Sequence, residues 1–211
     1  MRPESLLPFA FIAFFVGMLA LAITLGRRQQ RKTRELLAAL AARLHLELRR
    51  QPAKLGFEPT PTVEGQHRDR PVRFFTYTTG SGKSRTNWCA VAVAVAGVGG
   101  FTLELGPENF ITRIGVALGM QDIRIGEPTF DQAFMIKSND PGYAAAALLP
   151  EIRSRLLAAR ERCTFGHLAI KAGEVRYSEM GAFDDEARVN RMANMLEAAC
   201  DLAEVTEVYH A

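Results

Sequence analysis

Gly80-Ser81-Gly82-Lys83-Ser84 ends in the Gly-Lys-Ser of a phosphate-binding loop. In such a loop successive backbone N–H groups cradle phosphates and the lysine reaches the outer ones. The full pattern needs a further glycine five positions before Gly82, where Tyr77 stands, and a helix immediately afterwards. Trp88 to Ala96 instead alternates Val and Ala in the manner of a strand, so the segment reads as a hairpin tip kept solvated by Lys83 and Ser84. Cys163 and His167 are four residues apart and His45, His67 and His210 complete the histidines, but no second pair supplies the spacing of a structural zinc site. Cys163 lies among Arg160, Arg162 and Thr164 without a nucleophile motif and reads as a helix terminus. Of the carboxylates, Asp140 and the Asp184-Asp185-Glu186 cluster precede helical patterns and are explained as caps. Asp131 alone lacks such a role. An enzyme, a hydrolase or transferase, would have to be built on a cleft near Asp131; no catalytic, cofactor-binding or metal-ligating residue is assigned.

The elements that would position any of these groups start with Leu6 to Gly26, 21 consecutive residues without an ionisable side chain. As a helix this run is about 31 Å long, enough to cross the hydrocarbon core of a bilayer once. Arg27, Arg28, Arg31, Lys32 and Arg34 follow at once. Basic residues stay on the cytoplasmic side of a span, and only Arg2 precedes this one, so the expectation is a retained anchor in a bacterial inner membrane with the carboxyl-terminal bulk in the cytoplasm. The competing reading is a cleaved signal peptide ending near Ala20-Leu21-Ala22 and an exported, envelope-binding domain. The apolar run is longer than a signal core, and the basic collar opposes translocation.

Charge divides along the same line. Residues 1–50 hold nine Lys or Arg against three Glu, which leaves 17 against 20 of the chain's 26 basic and 23 acidic residues for the rest. The positive charge is therefore a property of the collar, suited to anionic lipid head groups through Arg27, Arg28, Arg31, Lys32 and Arg34, and no nucleic acid is expected as partner. Cys89, Cys163 and Cys200 are odd in number and unpaired in spacing, which fits a reducing compartment.

The predicted division is a short tail (1–5), a transmembrane helix (6–26), a basic juxtamembrane amphipathic helix (27–50) and one α+β domain (51–211). Leu37, Leu40, Leu44 and Leu48 form the apolar stripe of the second segment, which is too short for a coiled coil and is read as packing on its own domain. Residues 51–71 read as linker and turn, with a short strand around Thr62 to Gln66. A hairpin pairs Val72 to Thr78 with Trp88 to Ala96. Further strands are expected at Phe101 to Leu105, Asp122 to Ile125, Phe130 to Lys137, His167 to Lys171 and Glu174 to Ser178. Helices are expected after Asp140-Pro141, from Pro150, and after the 184–186 acidic cluster. Fold class is thus α+β: a mostly antiparallel sheet with helices packed on one face.

Gly126-Glu127-Pro128-Thr129-Phe130-Asp131-Gln132-Ala133-Phe134, with Val63-Glu64-Gly65, Arg70-Pro71-Val72 and Leu148-Leu149-Pro150-Glu151-Ile152, resembles the pattern of an uncharacterised family of bacterial single-pass membrane-anchored proteins, over roughly residues 57–205. The resemblance implies a fold and an anchor but no activity. Strand alternation would place Phe130 and Phe134 on the core side and Asp131 opposite. The expected function is a membrane-anchored binding or scaffold domain for a protein partner that the sequence does not name.

Overall fold

Side-chain alternation across one large sheet organises the molecule. Val63, Phe74, Val91, Tyr177, Leu168, Leu105, Ile136 and Ile123 sit opposite one another in register, strand after strand, and form one apolar row. Seven of these eight are buried, and Ile123 packs against the same core. The neighbouring row on the same face runs Val72, Val93, Val175, Ile170 and Leu103. Residues one position away point to the other face, where Arg73, Ala92, Arg176, Ala169, Glu104, Lys137 and Asp122 line up. Helices therefore cover the first face, and the apolar core lies between them and the sheet.

The computed structural model describes residues 7–50, 52, 58–97, 100–107, 121–161 and 166–210, with the side chains of 7–13, 121, 161, 209 and 210 set aside. The strands are β1 (Glu47–Arg49), β2 (Thr62–His67), β3 (Arg70–Thr79), β4 (Thr86–Ala94), β5 (Leu103–Gly106), β6 (Gln121–Ile123), β7 (Met135–Ser138), β8 (His167–Lys171) and β9 (Glu174–Met180). The helices are α1 (Leu7–Leu44), α2 (Pro128–Ala133), α3 (Pro141–Ala147), α4 (Pro150–Glu161) and α5 (Glu186–His210). The sheet order is β1-β2-β3-β4-β9-β8-β5-β7-β6, with every pair antiparallel. The fold is α+β with a large antiparallel sheet, as expected. The β8–β9 hairpin, late in the chain, inserts between β4 and β5 and joins the two halves. Its turn uses Ala172 and Gly173 at φ 53° and 78°, the left-handed pair that matches strand twist.

Three local expectations need correction. The amphipathic segment over 27–50 is not one helix: α1 stops at Leu44, because His45 takes φ 55° and Leu46 N–H reaches back to Ala41 C=O at 2.8 Å, which closes the helix end. Glu47–Arg49 then pairs with β2 as the edge strand. Residues 58–71 are not merely linker, since β2 turns into β3 through Arg68 and Asp69, both with positive φ. The strand expected over Phe130 to Lys137 is a helix followed by a short strand. Pro128 is pre-set for a first helical turn, and Asp131 and Phe134 N–H bond to the carbonyls of Glu127 and Phe130. Phe130 and Phe134 are both buried, 4.9 Å apart by ring centroid, but through one-turn helical spacing rather than strand alternation.

The caps behave as read. Asp140 accepts from Tyr143 N–H at 3.0 Å, and Asp185 accepts from Arg188 N–H at 2.7 Å. That bond, with the Arg188 charge, holds the Asp185 carboxyl below its ordinary value.

Candidate functional site: the exposed half of the first helix

Helix α1 changes environment at Thr33. On its carboxyl-terminal side Leu37, Leu40 and Ala41 are buried against β2 and α5, and Arg43 Nη1 donates to Asn190 Oδ1 at 2.7 Å. On its amino-terminal side every described side chain from Phe14 to Lys32 is exposed. Phe14, Phe15, Val16, Met18, Leu19, Leu21, Ile23 and Leu25 all show roughly half or more of their surface, 47% to 64%. At 100° per residue these positions lie all round the helix, and a helix apolar on every side belongs in a protein core or a membrane. Thr24, the polar exception, returns its hydroxyl to Leu21 C=O at 2.8 Å, as it would have to in hydrocarbon. The collar comes next. Arg27, Arg28, Arg31 and Lys32 are exposed, Arg31 pairs with Glu35 at 2.8 Å, and Arg34 pairs with Glu58.

Among the described residues no helix is long and apolar enough to cross a membrane. The reason is length: the apolar side chains described run from Phe14 to Gly26, about 20 Å of helix, short of the roughly 30 Å hydrocarbon core. The expected span began at Leu6, and its first third lies outside the described side chains.

The other sequence candidates divide clearly. Lys83 sits on an exposed 3-10 turn, Gly82–Ser84, between β3 and β4, and a strand follows it, as expected for a hairpin tip. Asp131 does border a cleft of about 400 Å³, with Asp122, Arg124, Phe134 and Arg160. Its two carboxylate oxygens are occupied, however: Oδ1 accepts from Ile125 N–H at 2.8 Å and Oδ2 from Gly126 N–H at 2.9 Å. Asp131 is an acceptor that ties the turn before α2 to the helix. Cys163 lies outside the described residues. His167 is on β8, 3.7 Å from Glu104, and His67 meets Glu197 at 2.7 Å, so neither lies near a second histidine pair. Among the described residues no group of three or more metal-capable side chains converges.

Sequence reasoning missed two polar clusters, both built from residues far apart in the chain. The first is centred on Glu179, 5% exposed on β9. Arg191 of α5 grips both its oxygens at 3.1 and 2.8 Å, and Tyr177 donates its hydroxyl at 3.0 Å. Cys89, against the same carbonyl backbone, is pushed up to about 12 by burial, so it stays an inert thiol. Beside this cluster α4 and α5 leave a cavity of about 280 Å³ lined by Arg155, Ala158, Tyr177, Met195 and Ala198. The second cluster clamps the β2–β3 turn to α5: Arg68 pairs with Asp201 and Glu204, and Arg70 Nη2 with Glu207 at 2.8 Å. Arg70, helped by Ala96 N–H, holds the Glu207 carboxyl below its ordinary value. These pairs span more than 130 residues, and no local spacing signals them.

No family model and no curated protein matches the chain. Among solved structures it is similar to the mycobacterial trehalose monomycolate transport factor A, TtfA, with a TM-score of 0.55 over 86% of this chain and 96% of that one. At 11% sequence identity the likeness is one of fold, and it places this α+β architecture in a second, independently determined protein.

Proposed function

We propose that the chain is a single-pass protein of a bacterial inner membrane, anchored by Leu6 to Gly26, with its α+β domain in the cytoplasm as a binding module for a protein partner. The observation that supports this most is the unbroken passage of α1 from an apolar stretch exposed on every side, through the basic collar, into the domain core. Isolated in water, eight large exposed apolar side chains in one stretch would be an aggregation hazard; in a bilayer they are satisfied. The neighbour's name adds transport as the first task to test for a partner. The cleft beside Asp131 supports an enzyme less well, because the carboxylate it would need is engaged by two backbone amides.

A reporter active only in the cytoplasm, fused after Ala211, should work, and replacing Arg27, Arg28, Arg31, Lys32 and Arg34 with neutral residues should weaken that orientation. Activity from a periplasm-only reporter on the unaltered chain would refute the topology. Amino-terminal sequencing that begins beyond residue 22 would replace the anchor with the exported alternative.

A further inference from the structure

The collar is not a symmetrical ring of charge. Helical spacing puts Ile23, Arg27, Gln30 and Arg34 on one side of α1, with Arg31 flanking, while Arg28 and Lys32 lie about a quarter-turn or more away. That side continues, toward the amino end, the face that buries Thr33, Leu37 and Ala41 lower down. Above Thr33 the domain no longer covers it, and an open groove of about 670 Å³ remains, lined by Ala22, Ile23, Gly26, Arg27, Gln30, Arg31, Arg34 and Glu58. Its upper wall is apolar and lacks a side chain at Gly26, whose missing Cβ would meet nothing within 4 Å. Its lower wall carries three guanidinium groups and one amide. Glu58 stands at the domain shoulder and pairs with Arg34, and Glu35 pairs with Arg31. No carboxylate among the described residues pairs with Arg27.

We infer that this groove is a binding site for one anionic phospholipid of the inner leaflet, with its phosphate between Arg27, Gln30 and Arg31 and its acyl chains along Ile23 and Gly26. The inference rests on the membrane-anchored reading. An amphiphile suits the site because apolar and cationic walls are stacked along one helix face in the order that the acyl chain and head group of an inner-leaflet lipid present. Guanidinium groups recognise phosphate oxygens through paired N–H donors, and Gln30 adds a neutral donor that a site for bulk counter-ions would not need. Glu58 acts against the ligand, since it competes for Arg34.

Two variants of equal charge separate a built site from diffuse attraction. The full chain is inserted into nanodiscs of neutral phosphatidylcholine containing a minor fraction of phosphatidylglycerol, and the phosphatidylglycerol retained per chain is measured by native mass spectrometry. Arg27→Gln with Arg31→Gln should reduce retention about tenfold relative to Arg28→Gln with Lys32→Gln, the loss expected for charge-assisted hydrogen bonds specific to the first pair. Glu58→Gln should raise retention. Equal losses in the two double variants would overturn the site and leave only a diffuse collar. Competition by millimolar glycerol phosphate in solution as effective as added lipid would overturn the requirement for an acyl chain. Failure of the unaltered chain to insert would refute the membrane reading itself, a distinct outcome scored before lipid is measured.

Discussion

Asp131 offers the sharpest test of how a chemically suggestive residue is used. Both its oxygens accept backbone N–H bonds, from Ile125 and Gly126, and the residue is only partly buried. A hydrogen bond to a charged group contributes about 1.5 to 3 kcal/mol net, and partial exposure selects the lower end. Asp131→Ala loses both bonds and should cost about 3 kcal/mol; Asp131→Asn keeps one acceptor oxygen and should cost about 1.5 kcal/mol. With a urea dependence of about 2 kcal/mol per molar for a domain of this size, the unfolding midpoint should fall by about 1.5 M and 0.7 M respectively. Trp88 is the only tryptophan, 7% exposed, with its Nε1 donating to Thr79 Oγ1 at 2.8 Å, so its fluorescence in mild detergent reports the transition. Phe130→Ala, which empties a fully buried ring site, should cost about 3 to 5 kcal/mol and sets the scale. Midpoints for both Asp131 variants equal to that of the unaltered chain would refute the reasoning. The carboxylate would then be dispensable to the turn and free for another role.

Lys83→Ala should shift stability by no more than about 0.5 kcal/mol and remove no ATP or GTP affinity, measured by calorimetry, because Lys83 lies on an exposed turn. The Arg70–Glu207 pair should make stability depend on acid: a carboxyl held below its unfolded value contributes fully above about pH 4.5 and loses that contribution as pH falls through the folded value. Urea midpoints taken between about pH 6 and 3 should therefore fall less steeply for Glu207→Gln than for the unaltered chain, and an unchanged slope would remove the pair from the account.

What the sequence disclosed was whatever depends on near neighbours. Asp140-Pro141 announced a capped helix, and the Val-Ala alternation from Trp88 announced a strand. The basic collar announced its own exposure. Phe130 and Phe134 show why such reading fails locally: a separation of four is even, as a strand requires, and also close to one helical turn, so both periods place the rings together. Pro128 was the deciding residue, and its preference for the first helical turn outweighed the aromatic content that favoured a strand. Long-range pairings were beyond reach for a different reason. The insertion of β8–β9 between β4 and β5 is decided by which apolar rows fit one another, and the grip of Arg191 on Glu179 follows only once α5 lies across β9.

The same comparison bears on how the proposed anchor would serve a binding domain. A flexible tether lets a domain search a volume, whereas α1 is one helix of 38 residues, about 57 Å long, and its last third is part of the core. Neither Gly17 nor Gly26 interrupts it. Because Leu37 and Leu40 are fixed against β2 and α5, the angle between helix and sheet is set by packing, and with it the height and tilt of the sheet above a bilayer. The sheet face that the helices leave uncovered carries Arg73 over the Phe75 ring at 4.5 Å, and Tyr77 stacked on Trp88. A domain held in this way presents that face in one orientation, which suits a partner that is itself fixed in the membrane better than one that diffuses freely in the cytoplasm.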